Sequence, residues 1–118
     1  MDKKRILLVD DEGGIQLLYR EEFEEEGYEV VSAYNGEEAL EKFNQELPDL
    51  VILDINMPGM SGIEVLRRMK EIHPELPVIL SSAYQEYKQD FSTWASEDYI
   101  VKSANMDELK DAVKRHLK

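Results

Sequence analysis

The stretch "RILLVDDEGG" (residues 5–14) indicates the kind of fold that this chain adopts. Its unbroken run of Ile, Leu, Leu and Val is typical of a strand covered on both faces, as in a parallel sheet. The run ends in three consecutive carboxylates, Asp10, Asp11 and Glu12, followed by two glycines. Like charges this close together repel each other, so their position at the end of an apolar strand requires an explanation.

Further apolar runs alternate along the chain with helical patterns. The runs are "VVSA" (30–33), "LVIL" (50–53), "VIL" (78–80) and "YIV" (99–101). The runs at 50 and 78 are unbroken like the first, whereas those at 30 and 99 are mixed or short and suit the edges of a sheet. Five strand–helix units in alternation predict an α/β fold with a five-stranded parallel sheet and right-handed crossovers.

The helical patterns between the strands are amphipathic. Three apolar sets recur at helical spacing: Ile15, Leu18, Tyr19 and Phe23; Tyr84, Tyr87, Phe91 and Trp94; and Met106, Leu109, Val113 and Leu117. Leu17 points away from the first set. An isolated exposed leucine is ordinary, and the functional alternative is a contact with a partner protein.

Composition limits the classes of function. The 118 residues predict one domain over residues 1–118, and the net charge of −12 argues against direct nucleic-acid binding because phosphates would be repelled. The sequence has no apolar window of about 18 residues and no secretory signal, so neither a membrane span nor export is expected. The absence of cysteine excludes disulfides and fits a cytoplasmic protein.

Polar side chains follow four of the five predicted strands: Asp10 and Asp11, then Asp54, then Ser81 and Ser82, and finally Lys102. Taken singly, each could be a turn residue or a helix cap. In a parallel α/β sheet, however, the ligand site lies beyond the carboxyl ends of the strands. The shared position of these residues therefore predicts a single site at that edge.

The residue types at this edge indicate the chemistry. Neighbouring carboxylates attract a hard cation such as Mg²⁺, which uses carboxylates, water and phosphate oxygens as ligands. Asp54 could act as the nucleophile toward a phosphoryl group and form an acyl phosphate. Mg²⁺, Lys102 and the Ser82 hydroxyl could each neutralise or bind one phosphoryl oxygen.

At this point the sequence resembles the receiver domain of two-component response regulators. The matching features are the acidic pair "DD" (10–11), the block "LDINMPGMSG" (53–62), the step "SA" (82–83) and Lys102. The resemblance covers the whole chain. It implies the strand order 2-1-3-4-5 with helices on both faces of the sheet.

The resemblance also implies roles for individual residues. Asp54 would be the phosphoacceptor. Mg²⁺, with Mn²⁺ as an alternative, would be bound by the side chains of Asp11 and Asp54, by the backbone carbonyl of Asn56, and by Asp10 through water. Lys102 would pair with the phosphoryl group.

The resemblance also implies two switch residues and one small residue at the site. Ser82 occupies the position whose hydroxyl turns toward the phosphoryl oxygen, and Tyr99 is the switch aromatic residue that follows it inward. Ala83 is the small residue that leaves the site open. The surface expected to change comprises the predicted fourth helix, the fifth strand and the last helix.

The implied function is a phosphorylation-activated signalling switch. The phosphodonor would be a sensor histidine kinase or a histidine phosphotransfer protein, and a downstream protein would read the changed surface. No substrate turnover is expected beyond self-phosphorylation and autodephosphorylation. The chain ends just after the last helix, which fits either a stand-alone regulator or a receiver excised from a longer protein.

Two alternative functions are open. One is a receiver-like adaptor that binds partners without being phosphorylated, which loss of Asp54, Asp11 or the lysine would favour. The other is a phosphohydrolase of the haloacid-dehalogenase kind, whose D-x-D-x-T signature should follow the first strand. The third strand instead ends in Asp54-Ile55-Asn56.

Two features depart from the family pattern. Ser103 follows Lys102 where the family usually has a proline preceded by a cis peptide bond. A cis bond before a non-proline residue costs roughly 3–4 kcal/mol, so either packing enforces it or the bond is trans and the loop runs differently. The stretch between Ser82 and Lys102 is also slightly short, which affects the predicted fourth helix most.

Overall fold

The computed structural model describes residues 3–83, 96–102 and 105–117. The strands in this part of the chain are β1 (Arg5–Val9), β2 (Glu29–Ala33), β3 (Leu50–Asp54), β4 (Val78–Ser82) and β5 (Asp98–Val101). The helices are α1 (Gly13–Glu25), α2 (Gly36–Gln45), α3 (Gly62–Ile72) and α4 (Asp107–His116). The aromatic pattern from Tyr84 to Trp94 and the Lys102–Ser103 peptide bond lie outside the described residues.

The five strands form one parallel sheet in the order β2-β1-β3-β4-β5. This confirms the predicted fold class, strand number and order. The mixed run that became β2 and the short run that became β5 lie at the two edges, as their composition predicted. The unbroken runs occupy the three central positions, where each strand has a hydrogen-bonded neighbour on both sides and is covered on both faces.

Helices cover both faces of the sheet. One face packs against apolar residues of α1 and α4, and the other packs against apolar residues of α2 and α3. Successive side chains of a strand alternate between these two cores. None of the helices among the described residues is both long and apolar enough to cross a membrane.

Helix α1 differs in one respect from its predicted apolar face. Tyr19 and Phe23 are buried as expected and Leu17 is exposed, but Leu18 is 43% exposed, and the polar residue Gln16 is buried. The spacing of Gln16, Tyr19 and Phe23 is i, i+3 and i+7, so these residues share the face that contacts the sheet. The prediction for Leu18 was wrong because the buried face of α1 is centred on Tyr19 and Phe23, and Leu18 is turned about 100° away from Tyr19 around the helix.

The loops at the carboxyl edge of the sheet are held by local hydrogen bonds. Asn35 caps α2 by accepting a bond from the backbone N–H of Glu38, and Ser61 caps α3 through the N–H of Glu64. Such caps satisfy backbone donors that have no partner within the helix. They define where each helix begins beside the strand ends.

A polar cluster at the opposite end of the sheet anchors the start of β5. Lys70 of α3 contacts Glu97 with a distance of 2.6 Å between Nζ and Oε1. The same carboxylate oxygen accepts a bond from the backbone N–H of Val78, at 2.7 Å, and the Glu97 N–H donates to the Val78 carbonyl. These contacts fix the register of β5, and therefore the point at which Lys102 leaves the sheet.

Candidate functional site

The strand ends bring the predicted polar residues to one edge of the sheet. Asp10 follows β1, Asp54 is the last residue of β3, and Lys102 follows β5. All three continue the alternation of the side chains that point to the face covered by α1 and α4. The sheet register therefore gathers them in one place, although up to 92 positions (102 − 10) separate them along the chain.

Three carboxylates form the centre of the site. One oxygen each from Asp10, Asp11 and Asp54 lies within 4.8 Å of the others. Asp10 and Asp54 are almost completely buried, whereas Asp11 is exposed. Oxygen donors grouped at this spacing fit a hard divalent cation such as Mg²⁺, with the exposed Asp11 on the solvent side.

Lys102 supplies the positive charge of the site. Its Nζ lies 2.7 Å from Oδ2 of Asp10 and 3.4 Å from Oδ2 of Asp54, and only 12% of its side chain is exposed. Burial lowers the pKa of Lys102, but the hydrogen bond to Asp10 and the two carboxylate charges outweigh it, so the pKa of Lys102 is raised overall. The ammonium therefore remains charged at neutral pH.

Asp54 is a weaker acid than an ordinary aspartate. Burial raises the pKa of Asp54 to about 6, with Lys102 and the backbone N–H of Asn56 acting in the opposite direction and the charge of Asp10 adding to the rise. The Asn56 N–H donates to Oδ1 of Asp54 at 3.2 Å. At pH 7 the carboxylate is still mostly ionised, so it remains available as a ligand or a nucleophile.

A small cleft of about 180 Å³ opens above these groups. Its lining consists of Asp11, Glu12, Asp54, Asn56, Ala83 and Lys102. The space is large enough for a phosphoryl-sized group and a hydrated ion, and much smaller than the roughly 300–1,000 Å³ of pockets for larger organic ligands. The predicted direct ligands Asp11, Asp54 and Asn56 thus line one cleft with Ala83, whereas Asp10 is not part of the lining.

The two predicted switch residues lie on the other face of the sheet. Ser82 is fully buried at the end of β4, and Tyr99 of β5 is registered opposite Leu80. Ser82 and Leu80 share a face because they are two residues apart, so Tyr99 projects to that same face. Tyr99 is buried there within the core that α2 and α3 cover.

The position of Lys102 has a backbone anchor of its own. The Lys102 N–H donates to the carbonyl of Ser82 at 2.7 Å, which continues the pairing of β4 with β5 by one residue. The hydrogen bonding of the sheet therefore extends to the backbone N–H of Lys102. The conformation of the bond to Ser103 lies outside the described residues.

One buried polar residue near the site was missed by sequence reasoning. The side-chain amide of Gln16 donates to the backbone carbonyls of Leu8, Asp10 and Ala33, at 3.1, 3.0 and 2.8 Å. A signal was present, since Gln16 shares the i, i+3, i+7 spacing of Tyr19 and Phe23. A polar residue in such a set indicates a buried hydrogen-bonding role.

Comparison with known proteins agrees with this geometry. The family model of the response regulator receiver domain matches residues 6–114. The chain is 43% identical over 119 aligned residues to sporulation initiation phosphotransferase F of Bacillus subtilis, which covers 99% of this chain and 96% of that protein.

Solved structures of similar sequence have the same fold. The response regulator TrrA of Thermotoga maritima in complex with Mg²⁺ and BeF superposes with a TM-score of 0.93 at 53% identity, covering 96% of this chain and 98% of that one. In the complex of the histidine kinase ThkA with TrrA, the matching chain gives a TM-score of 0.92 at 53% identity, covering 98% and 99%. The fold, the acidic site and these similarities together show that the chain belongs to the response regulator receiver domain family.

Proposed function

We propose that the chain is a phosphorylation-activated signalling switch that accepts a phosphoryl group on Asp54. The observation that carries the proposal is the grouping of Asp10, Asp11 and Asp54 around the ammonium of Lys102 at one sheet edge. We also propose that residues 1–118 form a single receiver domain. The phosphodonor is a histidine kinase or a histidine phosphotransfer protein, as the ThkA–TrrA complex suggests by similarity.

The chemical step requires little of the protein besides positioning. A carboxylate oxygen of Asp54 attacks the phosphorus of a phosphohistidine, the new O–P bond forms, and the P–N bond breaks with its electron pair returning to the imidazole nitrogen. The ammonium of Lys102, 3.4 Å from Asp54, is near enough to neutralise a phosphoryl oxygen. The reaction is self-phosphorylation. It is followed by autodephosphorylation, in which water attacks the phosphorus, the O–P bond to Asp54 breaks and inorganic phosphate leaves, and no other substrate is turned over.

The residues of the site fit a divalent cation. Asp11 and Asp54 would bind Mg²⁺ through their side chains, Asn56 through its carbonyl, and Asp10 through water; Mn²⁺ is an alternative because it takes the same oxygen ligands. When bound, the cation would offset the negative charge that phosphoryl transfer concentrates at this edge. TrrA, at 53% identity, was solved with Mg²⁺ and BeF.

We propose that the conformational change is transmitted from Ser82 to Tyr99. The Ser82 hydroxyl would turn toward a phosphoryl oxygen, and Tyr99 would adjust within the core on the same face of the sheet. The surface of β5 and α4, together with the helix that the sequence predicts between Ser82 and Lys102, would change as a result. Phosphorylation would then bias a two-state surface that a downstream protein reads.

The partners are proposed to be proteins rather than nucleic acid or membrane. With 26 acidic and 14 basic residues, the chain would repel a phosphate backbone. Leu17, 62% exposed on α1, is a candidate contact for the phosphodonor. We place the protein in the cytoplasm, where histidine kinases present their phosphoryl groups.

The proposal is tested by intact-mass measurement after incubation with Mg²⁺ and acetyl phosphate or phosphoramidate. The unmodified protein should gain the mass of one phosphoryl group, and neither the Asp54→Asn variant nor a sample with excess EDTA should gain it. A second receiver labelled in parallel shows that the donor is active. If that receiver is labelled and this protein is not, the adaptor reading replaces the phosphorylation switch.

A further inference from the structure

The side chain of Gln16 connects three backbone segments at the site. It lies on α1, is 2% exposed, and its amide nitrogen is within 3.1 Å of the carbonyl oxygens of Leu8, Asp10 and Ala33. These carbonyls belong to β1, to the turn that follows β1, and to the end of β2. One side chain therefore fixes α1 against the ends of both strands.

The orientation of this amide is determined by its partners. Backbone carbonyls only accept hydrogen bonds, so the amide nitrogen, and not the amide oxygen, must face them. Its two N–H groups serve three carbonyls, so one N–H is shared. The amide oxygen is buried and has no hydrogen-bond partner among the described residues.

The bond to the Asp10 carbonyl determines the turn that carries the acidic pair. The side chain of Asp10 is already held, by Lys102 at 2.7 Å and by the N–H of Glu12 at 3.0 Å. Gln16 holds the carbonyl of the same residue and so fixes the plane of the peptide between Asp10 and Asp11. The orientation of this peptide constrains the backbone of Asp11, and therefore the direction in which its exposed side chain leaves the turn.

We propose that Gln16 is a positioning residue for the divalent cation site: its amide holds the Asp10–Asp11 peptide so that the Asp11 carboxylate faces Asp54. The inference rests on the proposed function, because it presumes that a cation binds there. Residues that orient metal ligands typically change metal affinity by about 10–100-fold when they are replaced. Gln16 would act on affinity without touching the cation.

The test is a comparison of Mg²⁺ dissociation constants. Gln16→Met keeps the length of the side chain but removes the donors, and Phe23→Leu is the matched control, because Phe23 is buried on the same helix face and bonds no strand-end carbonyl. Mg²⁺ binding is measured by isothermal titration calorimetry at a temperature at which circular dichroism shows each variant fully folded. We expect binding to weaken by about tenfold in Gln16→Met and to stay unchanged in Phe23→Leu, even where the control lowers the thermal midpoint more.

A kinetic readout separates positioning from general damage. In Gln16→Met, the Mg²⁺ concentration for half-maximal phosphorylation should rise by about the same tenfold, while the rate at saturating Mg²⁺ stays near that of the unmodified protein. Gln16→Asn, which keeps the amide but is too short to reach all three carbonyls, should weaken Mg²⁺ binding too, and it decides the question if the methionine variant does not fold. Unchanged Mg²⁺ affinity in a folded Gln16 variant would overturn the inference, whereas no Mg²⁺ binding by the unmodified protein would overturn the proposed function instead.

Discussion

The folded environment of Asp54 disfavours the ionised form of its carboxyl group. The carboxylate is buried beside Asp10, and the ammonium of Lys102 contacts both side chains. Burial raises the pKa of Asp54 from its ordinary value of 3.8 to about 6. The folded state therefore binds a proton at this carboxylate more tightly than the unfolded state does.

The direction of the pH effect follows from that difference. Between about pH 6 and pH 4 the folded protein takes up a proton at Asp54 that the unfolded chain does not, so this group's contribution to stability improves as the pH falls. Above pH 6 the ionised carboxylate opposes folding. The contribution is therefore least favourable at neutral pH in the absence of a cation.

Replacing Asp54 by asparagine should stabilise the metal-free protein at pH 7. A difference of about two pKa units corresponds to roughly 3 kcal/mol, and allowing for relaxation we expect a gain of about 1–3 kcal/mol. The gain should shrink as the pH falls from 7 to 4. Urea unfolding of both proteins in EDTA across this range measures it.

The exposed Asp111→Asn is the control for this experiment, because it changes the same charge on the outer face of α4. It should alter the free energy of unfolding by less than about 0.5 kcal/mol at every pH. A free energy of unfolding for Asp54→Asn that does not exceed that of the parent at pH 7 would contradict the raised pKa of Asp54.

The start of α3 is pressed against the end of β3. A Cβ atom built on Gly62 would lie 2.2 Å from the carbonyl oxygen of Asp54 and 2.7 Å from Cα of Ile55. The Gly62 N–H also donates to the Ile55 carbonyl at 2.9 Å. The glycine thus allows a helix to begin directly behind the predicted phosphoacceptor.

Gly62→Ala should therefore damage both fold and site. Neither neighbouring backbone segment can yield without moving Asp54, so we expect a loss of about 1–3 kcal/mol or more in unfolding free energy. Phosphorylation from acetyl phosphate should slow as well. Thermal or urea unfolding and the initial rate of mass gain measure the two effects.

Gly13→Ala is the matched control, because Gly13 is likewise the first residue of a helix beside the site. A Cβ atom built on Gly13 would meet no atom of another part of the described structure within 4 Å. This variant should be neutral or more stable by up to about 1 kcal/mol, owing to the better helix propensity of alanine. Equal destabilisation by both changes would show that the contact with β3 is not the cause.

At the scale of the whole molecule, negative charge is the dominant electrostatic feature. The net charge is −12, and three carboxylates converge at one edge of the sheet. Such a distribution opposes the compact state by self-repulsion, which either general screening by salt or site-specific binding of a cation relieves. Screening by salt and binding of a cation at a specific site differ in the concentration of cation that each needs.

Mg²⁺ should therefore raise the thermal midpoint more than NaCl of equal ionic strength. Binding to the folded state alone stabilises by about 2.7 kcal/mol when free Mg²⁺ is about 100 times its dissociation constant. Differential scanning calorimetry with Mg²⁺, and again after addition of excess EDTA, measures this gain and its reversal.

Two charge-neutralising variants identify the origin of the stabilisation. Asp11→Asn should abolish most of the Mg²⁺-specific gain in stability, because Asp11 belongs to the acidic cluster and is proposed to bind Mg²⁺ through its side chain. Glu75→Gln removes one exposed charge far from the site and should leave the gain intact. If Mg²⁺ stabilised the Asp11 variant as strongly as the parent, the metal assignment would be wrong.

Some residues of the site could be predicted from the sequence and others could not. The placement of Asp10, Asp54 and Lys102 at one edge was predictable, because parallel strands end on the same side and each residue follows an apolar run. Their catalytic and metal-binding roles stay predictions. Gln16 was not identified, because an apolar-periodicity argument discounts a polar residue on the buried face of a helix.

The sequence by itself determined the alternation of strands and helices, the edge positions of β2 and β5, and the convergence of acids and lysine. These follow from local patterns and from the geometry that all parallel sheets share. Only the tertiary structure decided that Lys102 lies nearer to Asp10 than to Asp54, and that Gln16 and Gly62 support the acidic turn and the end of β3. The physical reason is that such distances depend on the register between strands and on the packing of helices against them, which no local stretch of sequence contains.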